Sequence, residues 1–315
     1  MIAFIFPGQG SQKVGMGKAL ADTFPICRDT FEEADNALPG LSRIIFDGPD
    51  DRLTLTENTQ PAILTVSIAA FRLLASRGVM PSFVAGHSLG EYSANVAAGT
   101  FGFADAVSIV NRRGRYMQEA VPVGTGAMAA ILGLDADGVA RACREALEQG
   151  AAEGDVVSPA NINGAGQIVI AGSAGAVSRA SERAKALGAK RAIPLPVSAP
   201  FHCALMKPAE ERLAPELRGL TTHDPTIPVI ANVDAEPKRE AKSAIDALVA
   251  QVSAPVRWQA VVERLASEGV TTYVEVGPGT VLSGLVKKIH RDATIANFGS
   301  PEDLPAIEAA VGRAV

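Results

Sequence analysis

Cysteine, surplus positive charge, long apolar runs and internal repeats are all scarce or missing in this chain of 315 residues. Each absence closes off a class of function. The three cysteines, Cys27, Cys143 and Cys203, stand far apart with no CxxC or metal-type spacing, so neither a thiolate metal site nor a disulfide framework is expected. An odd, sparse set points to reduced thiols and a cytoplasmic setting. The net charge of −5 argues against nucleic acid as a main partner. No apolar run approaches the length of a membrane span, so no membrane partner is expected. The start, Met1-Ile2-Ala3-Phe4-Ile5-Phe6-Pro7, has no basic region and no cleavage site, and does not read as a signal peptide. No low-complexity segment interrupts the chain.

What is present is core-forming material. Hydrophobic residues make up 47% of the chain and charged residues 20%. Such a chain suits one large globular domain or two unequal ones. The most informative stretch is Gly86-His87-Ser88-Leu89-Gly90. The short apolar run 81–85 before it is β-prone, and the Ala-rich stretch 91–101 after it is helix-prone. Strand, sharp turn and helix around a GxSxG pentapeptide form a nucleophile elbow. Glycines flank the serine because a side chain there would clash in so tight a turn. Ser88 is therefore the candidate nucleophile, set at a helix N-terminus where N–H groups can stabilise an oxyanion. An ordinary glycine-bounded turn is the plain alternative.

The alternation of elements predicts an α/β fold with a mainly parallel sheet. Strands are read at 2–6, 227–233 and 272–276, with helices over 15–24, 26–37, 61–77, 104–119, 258–268 and 280–289. From Gly126 the rhythm changes. Strand 127–134, helix 135–149, strands 156–162 and 167–171, helix 174–187 and strand 190–197 give the order β-α-β-β-α-β. That is a ferredoxin-like arrangement. The expected division is a large domain from 1–124 and 198–315, with a small domain inserted over 125–197. The active site is expected in the cleft between them.

A serine nucleophile needs a base, and there are only four histidines. His87 adjoins Ser88 and is expected to point away from its hydroxyl. His223 lies in a polar stretch, and His290 ends a Lys-rich helix. His202 follows Pro200 and Phe201 where the small domain returns to the large one, and is the candidate base. No Asp or Glu near the later loops suits the role of orienting acid. Arg113 is the second notable residue. At helical spacing its neighbours are Ile109, Val110 and Met117, so it projects from the apolar stripe. A guanidinium there must pair with an anion: the plain readings are an internal Asp or Glu partner or a snorkelling side chain, and the sharper one is a fork that grips a substrate carboxylate in two parallel hydrogen bonds.

Gly8-Gln9-Gly10 after the first strand falls short of a dinucleotide fingerprint, because the third glycine position holds Lys13. The turn can still present the Gln9 N–H to an oxyanion, with the Leu89 N–H as second donor; an ordinary turn is the alternative. Lys185, Lys190 and Arg191, and Lys287, Lys288 and Arg291, read as solvated faces or as a basic rim for an acidic partner.

Several segments together resemble one family. They are 6–12, 56–62, 86–92 and 113–118, then Phe201-His202 and Glu275-Val276-Gly277-Pro278-Gly279. In this order, across nearly the whole chain, the sequence closely resembles the malonyl-CoA:acyl carrier protein transacylases of fatty acid synthesis. The resemblance implies an α/β-hydrolase-like domain with a ferredoxin-like insertion. It implies Ser88 as acylated nucleophile, His202 as base, Arg113 on the malonyl carboxylate, and the N–H groups of Gln9 and Leu89 as oxyanion hole. It implies that the Gln251 backbone carbonyl orients the histidine, and that Asn161 lines the cleft. Leu89 and Phe201 look like those of malonyl-selective members. Malonyl-CoA and acyl carrier protein are the implied partners of a monomer, with no metal and no cofactor beyond the coenzyme A thioester substrate. The competing readings are a serine esterase or thioesterase on the same scaffold, and a non-catalytic carrier-protein-binding module.

Overall fold

Ile2–Phe6 carries apolar side chains on both faces, the pattern of a strand buried between two layers. In the computed structural model, which describes residues 1–122, 124–148, 150, 152–164, 166–197 and 199–312, this strand lies inside the main sheet. The strands in chain order are β1 (Ile2–Phe6), β2 (Phe83–Gly86), β3 (Gly126–Leu132), β4 (Val157–Ile162), β5 (Gln167–Ser173), β6 (Arg191–Pro194), β7 (Val229–Ile230), β8 (Pro237–Lys238), β9 (Thr272–Val276) and β10 (Thr294–Phe298). Six form one sheet in the order β10-β9-β1-β2-β7-β8. Its pairs are parallel from β10 to β7, and only β7–β8 is antiparallel.

Alternation along β1 divides the core. Phe4 and Phe6 join the cluster beneath helix Thr56–Ser76, where Phe71 meets both rings edge-on. Ala3 and Ile5 join the cluster around Trp258, Tyr273 and Val262 on the other face. Each of the larger side chains, wholly buried, contributes about 1.5–3 kcal/mol relative to exposure.

The remaining four strands form a separate antiparallel sheet in the order β4-β5-β3-β6, the ferredoxin-like topology. Helices Ala136–Glu148 and Ala174–Ala186 pack on one face through Val139, Cys143, Val177 and Ala180. Met128, Ala130, Val169 and Ala171 belong instead to the main core. A short parallel bridge ties this sheet to the large body: the Ile162 N–H donates to Val256 O, and the Val256 N–H donates to Ala160 O, both at 2.8 Å.

Several expected elements are corrected. The helix read from Pro61 begins five residues earlier, at Thr56. Pro61 has no N–H for the Glu57 carbonyl, which would normally break the helix there. Asn111 Nδ2 supplies the missing donor, reaching Glu57 O at 2.8 Å. The same helix, Thr56–Ser76, is long and apolar enough by composition to cross a membrane, contrary to the sequence reading; 83% of its apolar window is buried within the protein. The strand expected at 227–233 is only Val229–Ile230, and that at 190–197 only Arg191–Pro194. Helices Lys207–Arg218 and Ala241–Gln251 and strand β10 were not anticipated. The expected boundary at Ser198 and the expected helix end at Gln149 lie outside the described residues.

Candidate active site

β2 ends at Gly86 and helix Leu89–Ala97 begins directly after Ser88. Ser88 is forced to φ 53° and ψ −106°, a conformation costly for any residue with a side chain. The turn closes tightly. A Cβ on Gly86 would stand 2.0 Å from the Gly90 carbonyl, so no other residue fits there. Asn232, the second residue after β7, clamps the turn from both sides. Its Oδ1 accepts the Ser88 N–H at 2.8 Å, and its Nδ2 donates to Gly86 O at 2.7 Å.

His202 also has a positive φ, 60°, and brings its Nε2 to 2.7 Å from Ser88 Oγ. Its Nδ1 faces the Gln251 backbone carbonyl at 2.9 Å. A carbonyl only accepts, so Nδ1 carries the proton and Nε2 is left to take one from the serine. That carbonyl is free because Gln251 ends helix Ala241–Gln251, and the last carbonyls of a helix lack intrahelical partners. Burial first, and then the Arg113 guanidinium, push the His202 imidazole down to about 3. It is therefore neutral, and able to act as a base, throughout the neutral range.

Arg113 lies on helix Phe103–Glu119 and is 1% exposed. The helix passes very close to helix Thr56–Ser76 at Gly114, where a Cβ would stand 2.6 Å from Thr56 O. This approach sets Arg113 against Gln60. Its Nη1 donates to Gln60 Oε1 at 2.7 Å, and its Nη2 to Gln251 Oε1 at 2.9 Å and Ser88 Oγ at 3.1 Å. Every one of these acceptors is neutral. The readings left open by the sequence are thus narrowed: among the described residues Arg113 forms no ion pair, and at 1% exposure it does not snorkel to solvent. Burial lowers its pKa from the ordinary value, which makes an anionic partner in the cleft more favourable.

Gln9, Ser88, Arg113, Asn161, Phe201 and His202 line one cleft of about 660 Å³. Leu89 lies at the helix N-terminus beside them, where its N–H is an orphan donor. Asn161 borders the cleft from β4, next to the bridge to Val256. Its buried Oδ1 meets no donor among the described residues. His87 also borders the cleft, but its Nε2 engages Asn163 Oδ1 at 2.9 Å and its ring leans on Trp258. It is thus held by other partners than Ser88. No group of three or more metal-binding side chains occurs among the described residues.

This serine–histidine pair, with a cation beside the hydroxyl and N–H groups at a helix start, can form and resolve an acyl-serine. The sequence matches the acyl transferase domain family over residues 3–302. The chain belongs to the acyl transferase domain family. A malonyl CoA-acyl carrier protein transacylase of Salmonella typhimurium is 52% identical over 306 residues, covering 96% of this chain and 97% of that relative. One of Bacillus subtilis is 51% identical over 304 residues, covering 96% and 95%. The crystal structure of an acyl carrier protein S-malonyltransferase from Vibrio cholerae superposes with a TM-score of 0.93 at 47% identity, covering 97% of this chain and 99% of that one. A type II PKS acyl-carrier protein in complex with its malonyl-transacylase matches with a TM-score of 0.93 at 46% identity, covering 99% of each chain.

Three buried residues of this acyl transferase were given no role in the sequence reading: Gln60, Glu91 and Asn232, at 2%, 1% and 0% exposure. Each left a signal. Gln60 precedes an apolar helix run, and Glu91 stands one turn after the nucleophile. Asn232 follows the apolar Val229-Ile230-Ala231, at the carboxyl end of a parallel strand, where sites in α/β sheets gather. His290, at the end of helix Val281–Ile289, meets the Tyr273 hydroxyl through Nδ1 at 3.1 Å.

Proposed function

We propose that this acyl transferase moves the malonyl group of malonyl-CoA to the phosphopantetheine thiol of an acyl carrier protein, through a malonyl ester on Ser88. His202 Nε2 takes the Ser88 proton as Oγ attacks the thioester carbonyl. The N–H groups of Gln9 and Leu89 stabilise the oxyanion. The intermediate collapses, and His202 returns the proton to the departing coenzyme A sulfur. The carrier thiol then gives its proton to His202 and attacks the ester carbonyl; as the ester C–O bond breaks, His202 returns that proton to Ser88 Oγ and the serine is regenerated.

The observation that carries this reading is Arg113: a buried guanidinium 3.1 Å from Ser88 Oγ, whose hydrogen-bond acceptors among the described residues are all neutral. A carboxylate on the acyl group would complete it. The names of the relatives support the same substrates. A cytoplasmic setting is supported by three free, buried cysteines. The esterase reading is disfavoured because a backbone carbonyl, not an acid, accepts from His202 Nδ1. The test is transfer from malonyl-CoA to purified, pantetheinylated carrier protein, with acetyl-CoA and methylmalonyl-CoA as controls. Malonyl transfer well above both controls is expected. Hydrolysis without transfer would replace the proposal with a thioesterase.

A further inference from the structure

Among the described residues no acid hydrogen-bonds to His202, but one stands a layer behind it. Glu91 lies in the first turn of helix Leu89–Ala97 and is fully enclosed. A single oxygen, Oε2, accepts two hydrogen bonds: from Gln251 Nε2 at 2.7 Å and from the Asn232 backbone N–H at 2.9 Å. Both donor residues hold reacting groups. The Gln251 carbonyl accepts from His202 Nδ1, and its Oε1 accepts from Arg113. Asn232 Oδ1 accepts the Ser88 N–H.

The orientation of the Gln251 amide matters here. Its nitrogen faces three acceptors: Glu91 Oε2, Ser88 O at 3.0 Å and, at the longer distance of 3.4 Å, Asn232 Oδ1. Its oxygen therefore faces Arg113, which only donates. Turned over, the amide would set NH₂ against guanidinium and oxygen against oxygen. An acceptor at position 91 holds the amide the productive way round.

We propose that Glu91 is the positioning acid of this site: it holds Gln251 and Asn232 so that Ser88, His202 and Arg113 stand in reacting order. The inference rests on the malonyl-transfer reading and deepens it. Burial pushes the Glu91 carboxyl up to about 7. Ionised or carrying a proton on Oε1, the carboxyl offers Oε2 to both donors, so the reach of that oxygen is what the arrangement requires.

Two variants separate reach from charge. Glu91→Gln keeps an oxygen at the same distance and removes the charge. Glu91→Asp keeps the charge and withdraws the oxygen by one methylene. The readout is the rate of acylation of Ser88 by malonyl-CoA and by acetyl-CoA, per folded protein, with folding checked by near-UV circular dichroism. Glu91→Gln is expected within about threefold of wild type. Glu91→Asp is expected to slow acylation by both esters on the order of 10- to 100-fold, the scale of a small misplacement in an active site. The loss should be larger for malonyl-CoA, because Arg113 loses its hold on Gln251.

A folded Glu91→Asp protein acylated within about twofold of wild type would overturn the proposal and leave Glu91 a structural residue. Glu91→Gln slowed by more than about tenfold would overturn it too, and this variant decides alone if Glu91→Asp fails to fold. Wild-type protein that takes up no malonyl group would refute the functional reading itself, before any variant is compared.

Discussion

Arg113 Nη2 lies 3.1 Å from Ser88 Oγ, so the cation that would select the acyl group and the hydroxyl that would carry it share one hydrogen bond. Selection and chemistry are thus built at one point. Its two Nη atoms donate to amide oxygens, while the buried Nε meets no hydrogen-bond acceptor among the described residues.

Arg113→Ala should therefore damage malonyl-CoA far more than acetyl-CoA. The malonyl carboxylate would be left buried and unpaired, a penalty of about 3–5 kcal/mol, or roughly two to four decades in kcat/KM. Acetyl-CoA has no carboxylate and should lose little. Arg113→Lys should recover only part of the preference, because an ammonium lacks the planar fork. An unchanged malonyl-to-acetyl ratio in folded Arg113→Ala would place selectivity elsewhere.

His202 gives a pH prediction whose sign follows from its displacement. Its pKa is lowered to about 3, so the base form persists as pH falls through the ordinary histidine range. Acylation of wild type by malonyl-CoA should stay nearly level from pH 8 down to about pH 5, rather than dropping near pH 6.5. Stopped-flow acylation against pH reads this directly. A limb centred near 6.5 would mean the imidazole is not shielded as described. The same displacement lowers stability as pH falls below about 6.5, because the unfolded chain takes up a proton that the folded one refuses.

Gly114 supplies a test remote from the reacting atoms. A Cβ there would stand 2.6 Å from Thr56 O and 2.7 Å from Glu57 Cα. Gly114→Ala must push apart the helices that carry Arg113 and Gln60. It should destabilise by about 1–3 kcal/mol, as overpacked cores do, and raise KM for malonyl-CoA more than for acetyl-CoA. Thermal melts and steady-state kinetics check both parts. A variant with wild-type stability would show that the crossing is looser than described.

The parts of this site that were legible in the sequence are those with local signatures. The elbow is one, because glycine, serine and glycine between a strand and a helix sit within a few residues. Arg113 is another, a charge on an apolar stripe of helical period. The β-α-β-β-α-β order exposed the second sheet. Less legible was whatever depends on distant chain segments meeting. Asn111, 54 residues along the chain from Glu57, replaces the donor that Pro61 lacks for the Glu57 carbonyl, so the proline reads falsely as a helix start. Helix Lys207–Arg218 contains Pro208 and Pro215 among charged residues, which hides its periodicity. Glu91 and Asn232 act on the elbow only through tertiary contact, 141 residues apart in the chain. The Gln251 role came from family resemblance alone. Its physical basis, a free carbonyl at a helix end, appears only once helix Ala241–Gln251 is seen.

The most direct measurement is mass spectrometry of the protein after brief exposure to malonyl-CoA, with proteolysis to locate the adduct. The account predicts one malonyl group per chain, on the peptide containing Ser88. It should disappear when pantetheinylated carrier protein is added, and it should be absent in Ser88→Ala. Loss of the nucleophile should cost orders of magnitude in transfer rate. An adduct on any other residue, or undiminished transfer by folded Ser88→Ala, would contradict the account.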